Sequence, residues 1–157
     1  MAVLIREVQD DDLEDFFVQQ LDPEATTMAA FPARTREAFM AHWAKIRADD
    51  RNFMRTVVVN GQVAGNMLSW EQDGRRLVGY WIGRQYWGRG IATSALKLVL
   101  AQVRSRPLHA EVAVHNVGSI RVLEKCGFRP AEVDGKPHTT VGEDGIEEVL
   151  LVLAPES

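Results

Sequence analysis

The sequence predicts a mixed α/β fold, a central sheet of about seven strands flanked by about four helices. Three observations carry this. Two hairpin signals follow one another, Asn60-Gly61 and Asp73-Gly74, and predict an antiparallel meander. An apolar helical run over 90–104 lies between two strand-like segments, 75–83 and 108–114; a strand–helix–strand crossover is right-handed and makes those strands parallel. Near the start, two segments carry apolar residues at helical spacing and supply a further layer. At 157 residues the chain is long enough for a core of its own and reads as one domain, 1–157.

Taken in order, "VLIREV" (3–8) is a first strand. Asp10 to Asp12 then offer caps for a helix whose apolar face is Leu13, Phe16, Phe17 and Leu21; the carboxylates suit a helix N-terminus. "LDPEATTMAAFP", with Pro23 and Pro32, reads as a loop. Thr35 caps a second helix reaching about Asp49, with Ala38, Phe39, His42, Trp43 and Ile46 inward, so that His42 and Trp43 read as core or core-edge residues. Strands at 53–59, 62–70 and 75–83 form the meander. The helix over 90–104 has only a narrow polar stripe (Thr93, Lys97, Arg104) and is expected to be largely buried. After the strand at 108–114, "NVGSIRVLEKC" (116–126) is a helix capped by Asn116 and ended by Gly127, its apolar face being Ser119, Ile120, Val122, Leu123 and Cys126. A strand, a Gly-rich turn and a last strand at 147–153 close the chain.

One stretch is odd by these rules. "QYWGRGIATSAL", from Gln85, runs from two aromatics through two glycines into a helix with no Ser, Thr, Asp or Asn directly in front. The first N–H groups of a helix have no internal partner, and the macrodipole makes that end electropositive. A glycine-lined turn entering a helix is therefore an anion site built from backbone, suited to phosphate. Gly88 and Gly90 allow a ligand close to the chain, Arg89 adds charge, and Tyr86 and Trp87 line the mouth. The other reading is a plain strand-to-helix turn. A Walker A loop would need a lysine before Thr93-Ser94, and a dinucleotide fingerprint would need glycine where Thr93 stands.

The spacing Gln85-x-x-Gly88-x-Gly90, after an aromatic strand and before a long apolar helix, resembles the acetyl-CoA loop of the GNAT superfamily of N-acetyltransferases. "HNVGSIRVLEKCGF" (115–128) resembles that superfamily's Asn-containing helix closing in Gly-Phe, and the two together look most like the branch that includes ribosomal-protein N-terminal acetyltransferases. The resemblance covers about residues 3 to 153 and implies that strands four and five start side by side and splay. The pantetheine arm of acetyl-CoA then lies along Tyr80, Trp81, Ile82 and Gly83. Its pyrophosphate lies on the N–H groups of residues 86 to 91, spanning Trp87, Gly88, Arg89, Gly90 and Ile91, with Ala92 and Thr93 close by, and Asn116 contacts the arm.

The implied chemistry is direct acetyl transfer from the thioester to a primary amine in a ternary complex. The amine must be neutral to attack. The tetrahedral oxyanion needs a donor, which the family takes from a strand-four N–H, here near Trp81 or Ile82. The thiolate must leave, at a cost of about 2 kcal/mol at neutral pH for a thiol pKa near 8.5. Where many members carry a tyrosine acid, this chain has Leu123; Ser119, one turn earlier, is the nearest hydroxyl, its other reading being a small residue packed on the sheet. Base candidates are Glu71, His109 and Glu111, with His115 beside Asn116. The lack of an obvious base leans toward an α-amine or another low-pKa amine. Cys126, on an apolar face with no adjacent histidine, reads as core.

Composition narrows the partners. A net charge of −4 and a pI near 5.6 speak against a nucleic-acid binder. No secretory signal or membrane span is expected, and a cytoplasmic protein follows. A lone cysteine excludes a Cys-based zinc site, and no metal is expected. The acceptor is a protein N-terminus or a small-molecule amine; relatives often dimerise, which makes a homodimer an expectation of the resemblance. The alternative is a non-catalytic acyl-CoA-binding sensor with a GNAT-like fold, favoured by the missing tyrosine and carboxylate.

Overall fold

The computed structural model describes residues 2–141 and 145–155. Strand β1 (Val3–Arg6) leads into three helices, α1 (Asp12–Gln19), α2 (Pro23–Ala29) and α3 (Arg36–Ala48). The meander follows as β2 (Phe53–Val59), β3 (Gln62–Gln72) and β4 (Arg75–Ile82), with positive φ at Asn60-Gly61 and Asp73-Gly74, as two-residue primed turns require. A 3₁₀ turn (Arg84–Tyr86) precedes α4 (Ile91–Gln102), β5 (Leu108–Ala113) and α5 (Val117–Lys125). Short strands β6 (Arg129–Pro130), β7 (Glu132–Val133), β8 (Lys136–Pro137) and β9 (Thr139–Val141) then lead to β10 (Glu147–Leu153). The Gly-rich turn expected before β10 includes 142–144 and so falls outside the described residues.

The main sheet runs β1-β2-β3-β4-β5-β10-β6, with β9 also on β10, while β7 and β8 pair apart from it. It is antiparallel except where β4 meets β5, as the crossover requires. That parallel ladder has a single register pair, Leu77↔His109; beyond it the two strands splay. One face of the sheet packs on α4 and α5 through Val78, Ile82, Leu96, Val99, Leu123 and Phe128. On the other face α1 and α3 form a smaller aromatic core, Phe16, Phe17, Phe39 and Trp43, over Met54, Val63 and Leu68 of β2 and β3. On that face the carboxyl end of β4 and the neighbouring β5 and β10 line an open cleft instead.

Three expectations change. "PEATTMA" (23–29), inside the expected loop, is helical, giving five helices among the described residues rather than about four: Asp22 caps α2 by accepting from the N–H groups of Glu24 and Ala25 (2.9 and 3.1 Å), with Pro23 at the first turn. Strand β1 stops at Arg6 because the chain turns to close a buried ion pair. Arg6 donates to both oxygens of Asp12 (2.7 and 2.8 Å), which also accepts from the Gln9 N–H and the Thr56 hydroxyl. Asp12 is 3% exposed, so one member of the acidic cluster is internal and ties α1 to β2 as well as starting the helix. Finally, α4 buries Ile91, Ala95, Leu96 and Val99 but leaves Lys97, Leu98, Ala101 and Gln102 exposed, because a single layer covers it.

Candidate active site

Gly90 is the residue before α4, at φ 74°, and Gly88 stands at φ 76°; both are left-handed backbone that L side chains rarely adopt. No side chain caps α4. The N–H groups of residues 88–93 meet no acceptor among the described residues, the first helical bond being Ser94 N–H to the Gly90 carbonyl (3.0 Å). A Cβ at either glycine would meet no atom within 4 Å, so their backbone faces open space. The donors begin two residues later than expected: Tyr86 and Trp87 spend their N–H groups on Gly83 and Arg84 to build the 3₁₀ turn (2.8 and 3.1 Å). This uncapped row of donors fits a pyrophosphate.

The row borders a cavity of about 420 Å³ walled by Trp81, Ile82, Trp87, Gly88, Gly90, Ile91, Ala92, Thr93, Asn116 and Ser119, with Met28 and Ala29 of α2 opposite. Gly83 and Arg89 stand outside its wall. Gly83 is buried where a Cβ would press on Gln19 at 3.3 Å, and its N–H bonds the Ala64 carbonyl (2.8 Å). Arg89 is exposed, and the cationic side chains that reach the cavity are Arg121 and Lys125 of α5. The Trp87 indole donates to the Ile82 carbonyl at 2.8 Å, so that carbonyl already has a donor. Asn116 borders the cavity and also caps α5, accepting from the Ser119 N–H (3.2 Å).

A second cavity, of about 380 Å³, opens on the α1–α3 face. Ala29, Tyr80, Trp81, Asn116 and Ser119 border both spaces, so the splay between β4 and β5 is their junction. There the Tyr80 hydroxyl and Ser119 Oγ are 2.8 Å apart, and burial pushes the Tyr80 phenol up to about 12 against that hydrogen bond, which lowers it. Tyr80 is therefore a neutral hydrogen-bonding phenol at any ordinary pH. The sequence placed it along the arm; its bond to α5 emerges only when β4 and α5 pack together.

The base candidates scatter. Glu71 is exposed at the far end of β3, opposite Arg76, and borders neither cavity. His109 also lies outside both, its buried Nδ1 without a hydrogen-bond partner among the described residues, and burial holds its imidazole below the usual histidine range. His115 is exposed, its Nε2 2.9 Å from the Thr27 carbonyl on α2. Glu111 does border the second cavity. So does His42, assigned to the core edge by its periodicity; burial, then Arg34 and Lys45, hold it below the ordinary histidine value. The Cys126 thiol is pushed up by burial, which keeps it protonated and unreactive. Among the described residues there is no cluster of metal-ligating side chains, and no helix is long and apolar enough to cross a membrane.

An uncapped glycine turn beside a splayed parallel strand pair is a family property that whole-chain comparison tests. The family model described as "Acetyltransferase (GNAT) domain" matches residues 2–129. The chain belongs to this GNAT family. A "Probable N-acetyltransferase YjcK" of Bacillus subtilis is 28% identical over 119 residues, which are 73% of this chain and 62% of that protein; the match thus spans less than two thirds of the relative's length. Among solved structures, the aminoglycoside acetyltransferase AAC(6')-Ib with coenzyme A superposes with a TM-score of 0.79 at 17% identity, covering 98% of this chain and 95% of that one. A spermidine N-acetyltransferase from Vibrio cholerae, with CoA and spermine, gives 0.76 at 14% identity over 96% and 94%. At such identities these likenesses concern the fold. The resemblance to a ribosomal-protein branch is not what the comparisons return.

Proposed function

We propose that this GNAT protein transfers acetyl from acetyl-CoA directly to the primary amine of a small molecule. The observation that carries the reading is the junction: a phosphate-sized row of backbone donors serves one cavity, an acceptor-sized cleft lies beyond it, and Tyr80 and Ser119 stand between. The structures of relatives bound to CoA support the cofactor, and the aminoglycoside and spermine complexes support a small amine over a protein N-terminus.

Acetyl-CoA, when bound, supplies an acetyl thioester. The N–H groups of residues 88–93 hold the pyrophosphate, and Trp81 and Ile82 of β4 with Asn116 line the path of the arm. As the amine nitrogen forms its bond to the carbonyl carbon, a β4 N–H near Trp81 or Ile82 takes the charge developing on oxygen. The C–S bond then breaks, the nitrogen loses a proton and the sulfur gains one. Ser119 faces the leaving sulfur, and Tyr80 is its positioning residue, fixing the hydroxyl from the opposite wall. No phenol stands at Leu123, and the Ser119 hydroxyl held by Tyr80 takes the place of that acid. Leu123 itself is 1% exposed and serves the core. Glu111, the base candidate that borders the cleft, receives the amine's proton in this reading.

Calorimetric titration with acetyl-CoA, alongside CoA, NADH and ATP, tests the reading. Micromolar binding of acetyl-CoA and CoA alone, followed by CoA release with an amine, is the expected result. Acetyl-CoA binding without turnover on any amine would leave the sensor alternative; no CoA binding would remove both.

A further inference from the structure

The second cavity has a charge pattern that acetyl transfer alone does not account for. Buried Gln20 spends both ends of its amide on the backbone of residue 34: its Oε1 accepts from the Arg34 N–H (2.7 Å) and its Nε2 donates to the Arg34 carbonyl (3.1 Å). This clamp fixes Arg34 in the cleft wall, where its guanidinium lies 4.7 Å over the Phe31 ring. Several arginines, Arg34 among them, reach no carboxylate among the described residues; Arg34 is the one of these that borders the second cavity. Glu111 borders the same cleft from β5 and makes no ion pair among the described residues, and Glu148 of β10 borders it too. The cleft is also bordered by the aromatic side chains of Trp81 and Trp70, the latter so close over Gly79 that a Cβ there would come within 3.0 Å of its ring.

A cation held in a half-buried wall without an anion is costly unless a ligand brings one. A polyamine could meet Glu111 and Glu148 but would bring no anion to Arg34, and a plain amine would likewise leave the guanidinium unpaired. A molecule with one carboxylate, one amine and an apolar body gives Arg34 its anion, keeps its single cation away from the guanidinium and covers the aromatic wall. Resting on the proposed acetyl transfer, we infer that the acceptor is an amino acid with an aromatic or branched apolar side chain. Its carboxylate pairs with Arg34, its side chain lies on the tryptophans, and its amine points to the junction at Ser119.

The test is a set of acceptors matched in everything except the carboxylate: tryptophan, tryptophanamide and tryptamine, with spermidine as a polycation, each assayed by CoA release. Tryptophan is expected to exceed both carboxylate-free analogues by at least about tenfold in kcat/KM, a charged-pair difference of 1.4 kcal/mol or more. The amide separates this effect from amine basicity, since its amine is the less basic. Arg34→Gln should erase the ratio through KM while acetyl-CoA affinity stays at the wild-type value, which also shows that the variant is folded. Equal or better use of tryptamine, tryptophanamide or spermidine, or a ratio that survives Arg34→Gln, would overturn the inference and leave acetyl transfer standing. Failure of acetyl-CoA to bind would remove the transfer reading and this one with it.

Discussion

The two cavities that meet at Ser119 are built in opposite ways. The pyrophosphate cradle on the cofactor side is made of backbone from one contiguous stretch, residues 88–93, whose shape follows from two positive-φ glycines and an uncapped helix start. The acceptor side is made of side chains drawn from α1, the α2–α3 loop, α3 and strands β3, β4, β5 and β10. A site of the first kind depends on a few local residues and tolerates change around it. A site of the second kind depends on everything that holds its walls in register. The variants that follow, ordered from the largest expected effect, separate the two.

Gly90→Val strikes the cradle alone. It puts a branched side chain at φ 74° and fills the space that a phosphate would enter. Loss of two charged hydrogen bonds amounts to about 4 kcal/mol, or roughly a thousandfold in acetyl-CoA affinity by calorimetry. Retained binding would refute a backbone-built cofactor site.

Asp12→Asn strikes the opposite half. It removes the charge that pairs with Arg6 beneath α1, a wall of the acceptor cleft, and should lower unfolding free energy by about 3 kcal/mol in a urea titration. Burial alone would raise the Asp12 carboxyl, but Arg6, the Gln9 N–H and the Thr56 hydroxyl together hold it below the ordinary carboxylate range. Its contribution is therefore complete above the unfolded pKa, about 3.9, and is lost as pH falls through the lower folded value. The variant should lose that part of its acid sensitivity. An unchanged melting curve would mean that the pair contributes nothing net.

At the junction, Ser119→Ala should lower kcat about thirtyfold with acetyl-CoA affinity unchanged, as removal of a group used only in the transition state does. An unaltered kcat would assign the hydroxyl to packing. Tyr80→Phe, acting through Ser119, should cost less, about fivefold in kcat, the order of one neutral hydrogen bond. With the phenol pushed up to about 12, neither wild type nor variant should show a rate limb from Tyr80 between pH 6 and 10. A limb that disappears in Tyr80→Phe would make the phenol itself the proton donor.

The same contrast governs what could be read in advance. Both hairpins, the β4–β5 crossover and the Gln85–Gly90 loop were legible, because turn chemistry and helix-end electrostatics act within a few residues. Helix α2 carried a readable signal, Asp22-Pro23-Glu24, yet its prolines and lack of an apolar stripe made the segment look like a loop. Of the base candidates, only Glu111 reaches the acceptor cleft, while His42, assigned to the core edge by periodicity, borders it.

By itself the sequence determined the hairpin meander, the β4–β5 crossover and the helix start that follows β4 without a side-chain cap. Those features rest on φ preferences, hydrophobic period and unpaired N–H groups, all of them local. Only the tertiary structure decided that Tyr80 meets Ser119 across 39 residues, that Gln20 clamps Arg34, and that Glu71 lies apart from both cavities. Side-chain proximity across a sheet is set by register, splay and the packing of helices on both faces, and no short stretch of the chain encodes these.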